Sequence, residues 1–122
     1  MDFKDLIAYK KGFELAMEIF EISKSFPKTE TYALTDQIRR SSRSTCAQVA
    51  EAYRKRRYIK HFISKLTDGD AENSETQVWL NFALKCQYIN LPTFNRLHQL
   101  SLEVGNLLGY MMKYPHKFGV KQ

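Results

Sequence analysis

The feature that most constrains this chain is a helical repeat of apolar residues that runs through most of its length and is punctuated by only three prolines. Leu6, Tyr9, Phe13, Ala16, Phe20 and Ser23 recur at spacings of three and four, with Leu15, Ile19 and Ile22 as a stripe beside them. Two adjacent stripes predict a helix covered on more than one side. Phe26-Pro27 ends it, because proline disfavours helical geometry in the residue before it. Leu34, Ile38, Thr45, Val49 and Ala52, with Ser41 and Ser42 among them, mark the inward face of a second helix, for which Thr29 or Thr31 is the expected cap. The small residues of this stretch let a neighbouring backbone come close.

A third apolar register is carried by Ile59, Phe62, Ile63, Leu66, Leu80, Ala83 and Leu84. Between its halves lies a polar, acidic stretch around Gly69, where helix stability is expected to be lowest. Asn90-Leu91-Pro92 is a strong break, with proline suited to a first helical turn. Phe94, Leu97, Leu100, Ser101, Val104, Leu107, Leu108 and Met111 follow at helical spacing until Pro115. The tail to Gln122 is expected to fray.

The helices thus fall at about residues 5–25, 30–55, 58–88 and 92–114. Four helices with short connections predict an all-α, antiparallel up-down four-helix bundle. At 122 residues the chain has room for a single domain, 1–122. One boundary stays open. Arg54-Lys55-Arg56-Arg57 holds neither glycine nor proline, so one continuous helix or two are both compatible with the residues.

No apolar run approaches the ~20 residues that span a bilayer, and the first residues lack the pattern of a secretory signal. A cytoplasmic protein without membrane contact is expected. Cys46 and Cys86 lie on helical segments and are read as reduced, half-buried small residues.

Charge is the clearest pointer to function. The net charge is +6, yet nine of the 19 lysines and arginines fall between Arg39 and Lys65 against one acid, Glu51, so that stretch carries about +8 and the remainder about −2. The nine are Arg39, Arg40, Arg43, Arg54, Lys55, Arg56, Arg57, Lys60 and Lys65. On a wheel of about 100° per residue, Arg39, Arg43, Arg54 and Arg57 fall within about 60° of one another, with Arg40 beside them and the apolar face roughly 140° away. Arginine's planar fork holds two phosphate oxygens and stacks on bases. Tyr53, Tyr58 and His61 are interleaved and offer stacking surfaces for single-stranded RNA. The bland alternative is a solvated face with core tyrosines. Like charges at spacings of three and four repel, however, so such a face implies a ligand.

This pattern predicts nucleic-acid binding, RNA more than DNA, with shape or charge readout, since no groove-reading motif is present. A protein-interaction surface is the competing reading. Catalysis finds no support. His61, His98 and His116 are scattered, and no phosphate-binding loop or nucleophile motif occurs. No cofactor or metal is expected. The acidic run from Asp68 to Glu75 reads as a solvated face or as the electrostatic partner of a basic patch on another subunit.

Several stretches resemble one family. They are Phe3-Lys4-Asp5-Leu6, Phe26-Pro27-Lys28, the run from Tyr32 to Arg40, Val49-Ala50-Glu51-Ala52 leading to Arg54, Phe62-Ile63, Gly69 and Glu75-Thr76-Gln77. Together they resemble the bacterial four-helix bundle proteins encoded in intervening sequences of large-subunit ribosomal RNA genes, also called S23 ribosomal proteins. The accessory bundle proteins of diversity-generating retroelements are similar. The resemblance implies a homo-oligomeric ring, usually a pentamer, with a basic surface that meets nucleic acid, and it matches Arg39, Arg40 and Arg54 by position. It also admits a protein partner such as a reverse transcriptase. The chain departs from the family pattern at Thr45, Gln48, Ala52, Asp68, Asp70 and Asn73.

Overall fold

A computed structural model describes residues 1–121; Gln122 lies outside the described residues. Four long helices carry the fold: α1 (Ile7–Ser23), α2 (Asp36–Arg54), α3 (Ile59–Lys85) and α4 (Leu91–Lys113). No strand occurs among the described residues. α1 packs on α2 and α4, α2 on α3, and α3 on α4, so the chain closes an antiparallel up-down bundle.

The local signals explain most boundaries. Asn90 accepts a hydrogen bond from the Thr93 backbone N–H at 2.9 Å, and Pro92 occupies the first turn of α4. The expected threonine cap on α2 is not found. A 3₁₀ turn (Lys28–Glu30) and a π-helical turn (Thr31–Thr35) lead into α2, and the Thr31 hydroxyl donates backwards to the Lys28 carbonyl at 2.8 Å. α1 starts two residues later than expected, after a short 3₁₀ turn (Phe3–Asp5) closed by a reciprocal Asp2–Asp5 capping box.

The core divides into two apolar halves. Val49, Ala52, Tyr53, Phe62, Leu66, Val104 and Leu108 form one, and Ile19, Ile38, Leu80, Ala83 and Leu97 belong to the other. Each large side chain so buried contributes roughly 1.5–3 kcal/mol. Between the halves lies a polar waist of Ser41, Thr45, Asn73, Thr76 and Ser101, all buried. Ser101 Oγ donates to Asn73 Oδ1 and Asn73 Nδ2 to the Ser101 carbonyl, both at 2.9 Å, and the Ser41 and Thr76 hydroxyls lie 2.8 Å apart. Thr45, Gln48 and Asn73, three of the departures from the family pattern, lie at this level.

Gly69 clarifies the third helix. α3 runs unbroken through the acidic stretch, and the glycine has a packing reason: a Cβ at Gly69 would stand only 3.3 Å from Gln48 Cβ. The glycine costs about 1 kcal/mol of helix propensity and in return lets α2 and α3 approach closely. The small residues of α2 serve that seam.

Three expectations are corrected. Phe13, placed on the inward stripe of α1, is 51% exposed, because the buried face of α1 is set by Ala8, Gly12, Leu15, Ala16 and Ile19. Cys46 is buried, which pushes its thiol up to about 11, whereas Cys86 at the end of α3 is exposed; neither is half-buried. The tail does not fray over its described part. Pro115–Phe118 forms a 3₁₀ turn, Gly119 adopts φ 85°, and Val120 is buried in the first core half.

Candidate nucleic-acid interface

The up-down topology brings the start of α1, the α2–α3 corner and the end of α4 to one end of the bundle. The corner answers the question the residues left open: α2 stops at Arg54 and α3 begins at Ile59. Its cause is local chemistry rather than a breaker residue. Arg56 Nε donates to the Tyr53 carbonyl at 2.7 Å, Arg56 Nη1 donates to the Phe118 carbonyl at 3.1 Å, and its guanidinium lies 3.6 Å from the Tyr53 ring centroid. A side chain thus takes a carbonyl at the helix end and breaks the run of four cations. Tyr53 and Phe62 both enter the same core half, which requires the chain to reverse between them.

The nine cations divide by circumstance. Arg40 is held on the bundle wall by two acids of α3, with Nη1 3.0 Å from Glu72 Oε2 and Nη2 2.7 Å from Glu75 Oε2. The Glu75 hydrogen bond, assisted by the charge of both carboxylates, pushes the guanidinium's pKa further up. Arg39 is half-buried, donates to Ser23 Oγ at 2.8 Å and covers the Phe20 ring at 4.9 Å. Arg43 lies over the same ring at 5.6 Å but remains exposed. Lys65 reaches Glu51 at 3.6 Å, and Arg54, 73% exposed, lies 3.8 Å from Asp2. Pairs this open to solvent contribute at most about 1 kcal/mol each.

Lys55, Arg57 and Lys60 are different. All three are exposed, and none has a salt-bridge partner among the described residues. Beside them Tyr58 is 56% exposed, with its ring 5.4 Å from that of exposed His61 and the Arg57 guanidinium 5.8 Å from its centroid. The structure therefore brings five of the expected cations, Arg54 to Arg57 and Lys60, to the corner and leaves Arg39, Arg40 and Arg43 along the wall. Tyr53 is removed from the stacking set: its ring is buried and its hydroxyl donates to the Met1 carbonyl at 3.3 Å.

The acidic run was expected as a solvated face or as a partner for another subunit. Glu72 and Glu75 instead share a face of α3 and meet Arg40 of the same chain. The pairing of Asp2 with Arg54 joins residues far apart in the chain and leaves no local signal. Among the described residues no cluster of three or more His, Cys, Asp or Glu could hold a metal, and no helix is long and apolar enough to cross a membrane.

Comparison with known proteins agrees with this architecture. A crystal structure of a protein with unknown function, from the S23 ribosomal protein family of Bacteroides thetaiotaomicron VPI-5482, superposes with a TM-score of 0.80 at 28% identity, covering 90% of this chain and 98% of that one. No match was found among curated protein sequences. The family of 23S rRNA-intervening sequence proteins matches residues 4–110. A helical bundle of this shape, matched over nearly its whole length, belongs to the 23S rRNA-intervening sequence protein family.

Proposed function

We propose that this chain is a non-enzymatic, cytoplasmic nucleic-acid-binding protein that takes RNA in preference to DNA. Lys55, Arg57 and Lys60 at the corner, with exposed Arg43 and Arg54 along α2, are its phosphate contacts. The observation that carries this reading is the corner itself, where exposed Lys55, Arg57 and Lys60 stand together without carboxylate partners among the described residues. The family's association with ribosomal RNA genes supports the choice of RNA. Arg39, Arg40, Arg56 and Lys65 belong to the same basic stretch but are engaged within the fold, and support the surface rather than grip a ligand. Contacts of this kind supply affinity and position without base discrimination.

The chain acts as a homo-oligomer, with the pentamer implied by the family resemblance. Exposed Phe13 and Met17 support association, since they border an apolar groove floored by Ala16, Ala47 and Ala50. Repetition around a symmetry axis multiplies a weak single-subunit contact through effective concentration.

Titration of a labelled, structured RNA at two salt concentrations tests the reading. About five phosphate contacts predict a loss of roughly five hundredfold in affinity between about 50 and 200 mM salt. Binding that ignores salt, or no binding at low salt, overturns it. Light scattering with and without RNA measures the subunit number.

A further inference from the structure

The corner is only half of the basic surface at that end of the bundle. Residues 52–67 contain six lysines or arginines and no acid, and residues 113–121 contain Lys113, Lys117 and Lys121 and again no acid. The tail is carried across the bundle end by two anchors. Val120 inserts into the core half that holds Tyr53 and Phe62, and the Phe118 carbonyl accepts from Arg56 of the corner. On the other side Phe118 borders an apolar recess with Met1, Leu6 and Tyr110. A Cβ at Gly119 would fall 2.9 Å from Arg56 Nη1, so glycine at a positive φ is what lets the tail lie this close.

The tail repeats the corner's chemistry. Lys117 Nζ donates to the Tyr110 hydroxyl at 2.8 Å and lies 4.7 Å from the Tyr114 ring centroid, while Lys113 Nζ lies 5.5 Å from that centroid. Tyr110 is 42% exposed. Two other rings covered by arginine are withdrawn: Phe20 is half-buried and Tyr53, under Arg56, lies in the core. At the bundle end, exposed rings stand in two groups joined by Arg56, beside Lys55, Arg57 and Lys60 in one and Lys113 and Lys117 in the other, none of them with a carboxylate partner among the described residues.

Resting on the nucleic-acid reading above, we infer that the docked tail and the corner form one site for unpaired nucleotides, with Lys113 and Lys117 joining Lys55, Arg57 and Lys60 along the phosphates and Tyr58 and Tyr110 receiving bases. The ligand class follows from the rings. A duplex presents phosphates to cations but keeps its base faces stacked, whereas loops and single strands offer free faces to aromatic side chains. Cations alone would treat the two alike.

The probe is an oligouridylate of about ten nucleotides, compared with an RNA duplex of the same length. Lys113→Glu combined with Lys117→Glu lowers affinity for the single strand at least about tenfold, while Lys85→Glu, a charge reversal at the opposite end of the bundle, lowers it less than about twofold. The single strand binds more tightly than the duplex, and Tyr58→Ala lowers its affinity about tenfold while Tyr58→Phe preserves it. Because Lys117 contacts Tyr110, Lys113→Glu alone is measured beside the pair, and thermal melting confirms that each variant is folded. Equal effects of the tail and Lys85 variants, or equal affinity for strand and duplex, overturn this inference and leave the corner's function intact. Absence of RNA binding by the wild-type chain overturns both.

Discussion

The first turns of α2 and the corner at its end are built from the same residue type and do opposite things. Arg40, in the second turn, spans two carboxylates of α3 and staples neighbouring helices together. Arg57, one helix length away, is exposed beside Tyr58 and has no salt-bridge partner among the described residues. The difference arises from what the fold sets opposite each position. α3 runs antiparallel along α2, so the acids Glu72 and Glu75 lie against the beginning of the arginine face, and the cationic first turn of α3 meets its end. Charge density along a chain marks where a basic surface can form; the neighbouring helix decides which part of it stays available.

Three measurements would break or sharpen that contrast. The largest effect is expected from Arg57→Glu combined with Lys60→Glu. RNA affinity should fall about a hundredfold and the salt dependence should lose about two contacts, with no change in melting temperature. A large loss of stability would mean that the corner cations are structural after all.

Arg56→Ala comes next. It removes two hydrogen bonds to carbonyls and a stacked guanidinium, and should cost about 2 kcal/mol in denaturant unfolding. It should also expose the tail to limited proteolysis beyond Tyr114, which a loss confined to the corner would not do.

The smallest effect belongs to the staple. Arg40→Ala should cost about 1 kcal/mol or less, and a double-mutant cycle with Glu75→Gln should show a coupling near 0.5 kcal/mol, since Arg40 is half exposed. RNA affinity should change less than about twofold. A tenfold loss of binding would place Arg40 among the ligand contacts and erase the distinction.

What could be read from the residues was whatever depends on near neighbours. Ile38, Val49 and Ala52 point inward because a helix repeats every few residues, and Asn90 caps α4 through a bond only three residues long. The arginine face failed to divide on a wheel because Glu72 and Glu75 lie 32 and 35 positions from Arg40. Tyr53 was ambiguous for a related reason. It sits at the edge between the buried and charged arcs of α2, and only the packing of Met1 and Arg56 around it settles the matter. The docked tail was least legible, because Val120 is a single apolar residue whose core half includes Tyr53 and Phe62, half the chain away. Phe13 erred differently: its spacing fits the stripe, but the bundle covers the arc one residue over.

The hydrogen bonds between Asn73 and Ser101 act like a dowel through the bundle. Two greasy helices can slide past each other by a turn with little penalty, but a slide here would strand an amide and a hydroxyl among hydrocarbon, at roughly 1–3 kcal/mol for each orphaned group. The dowel therefore fixes the height at which α3 and α4 stop against each other. At the far end, where corner and tail finish side by side, that sets whether the rings and ammonium groups stand level, as paving rather than as steps.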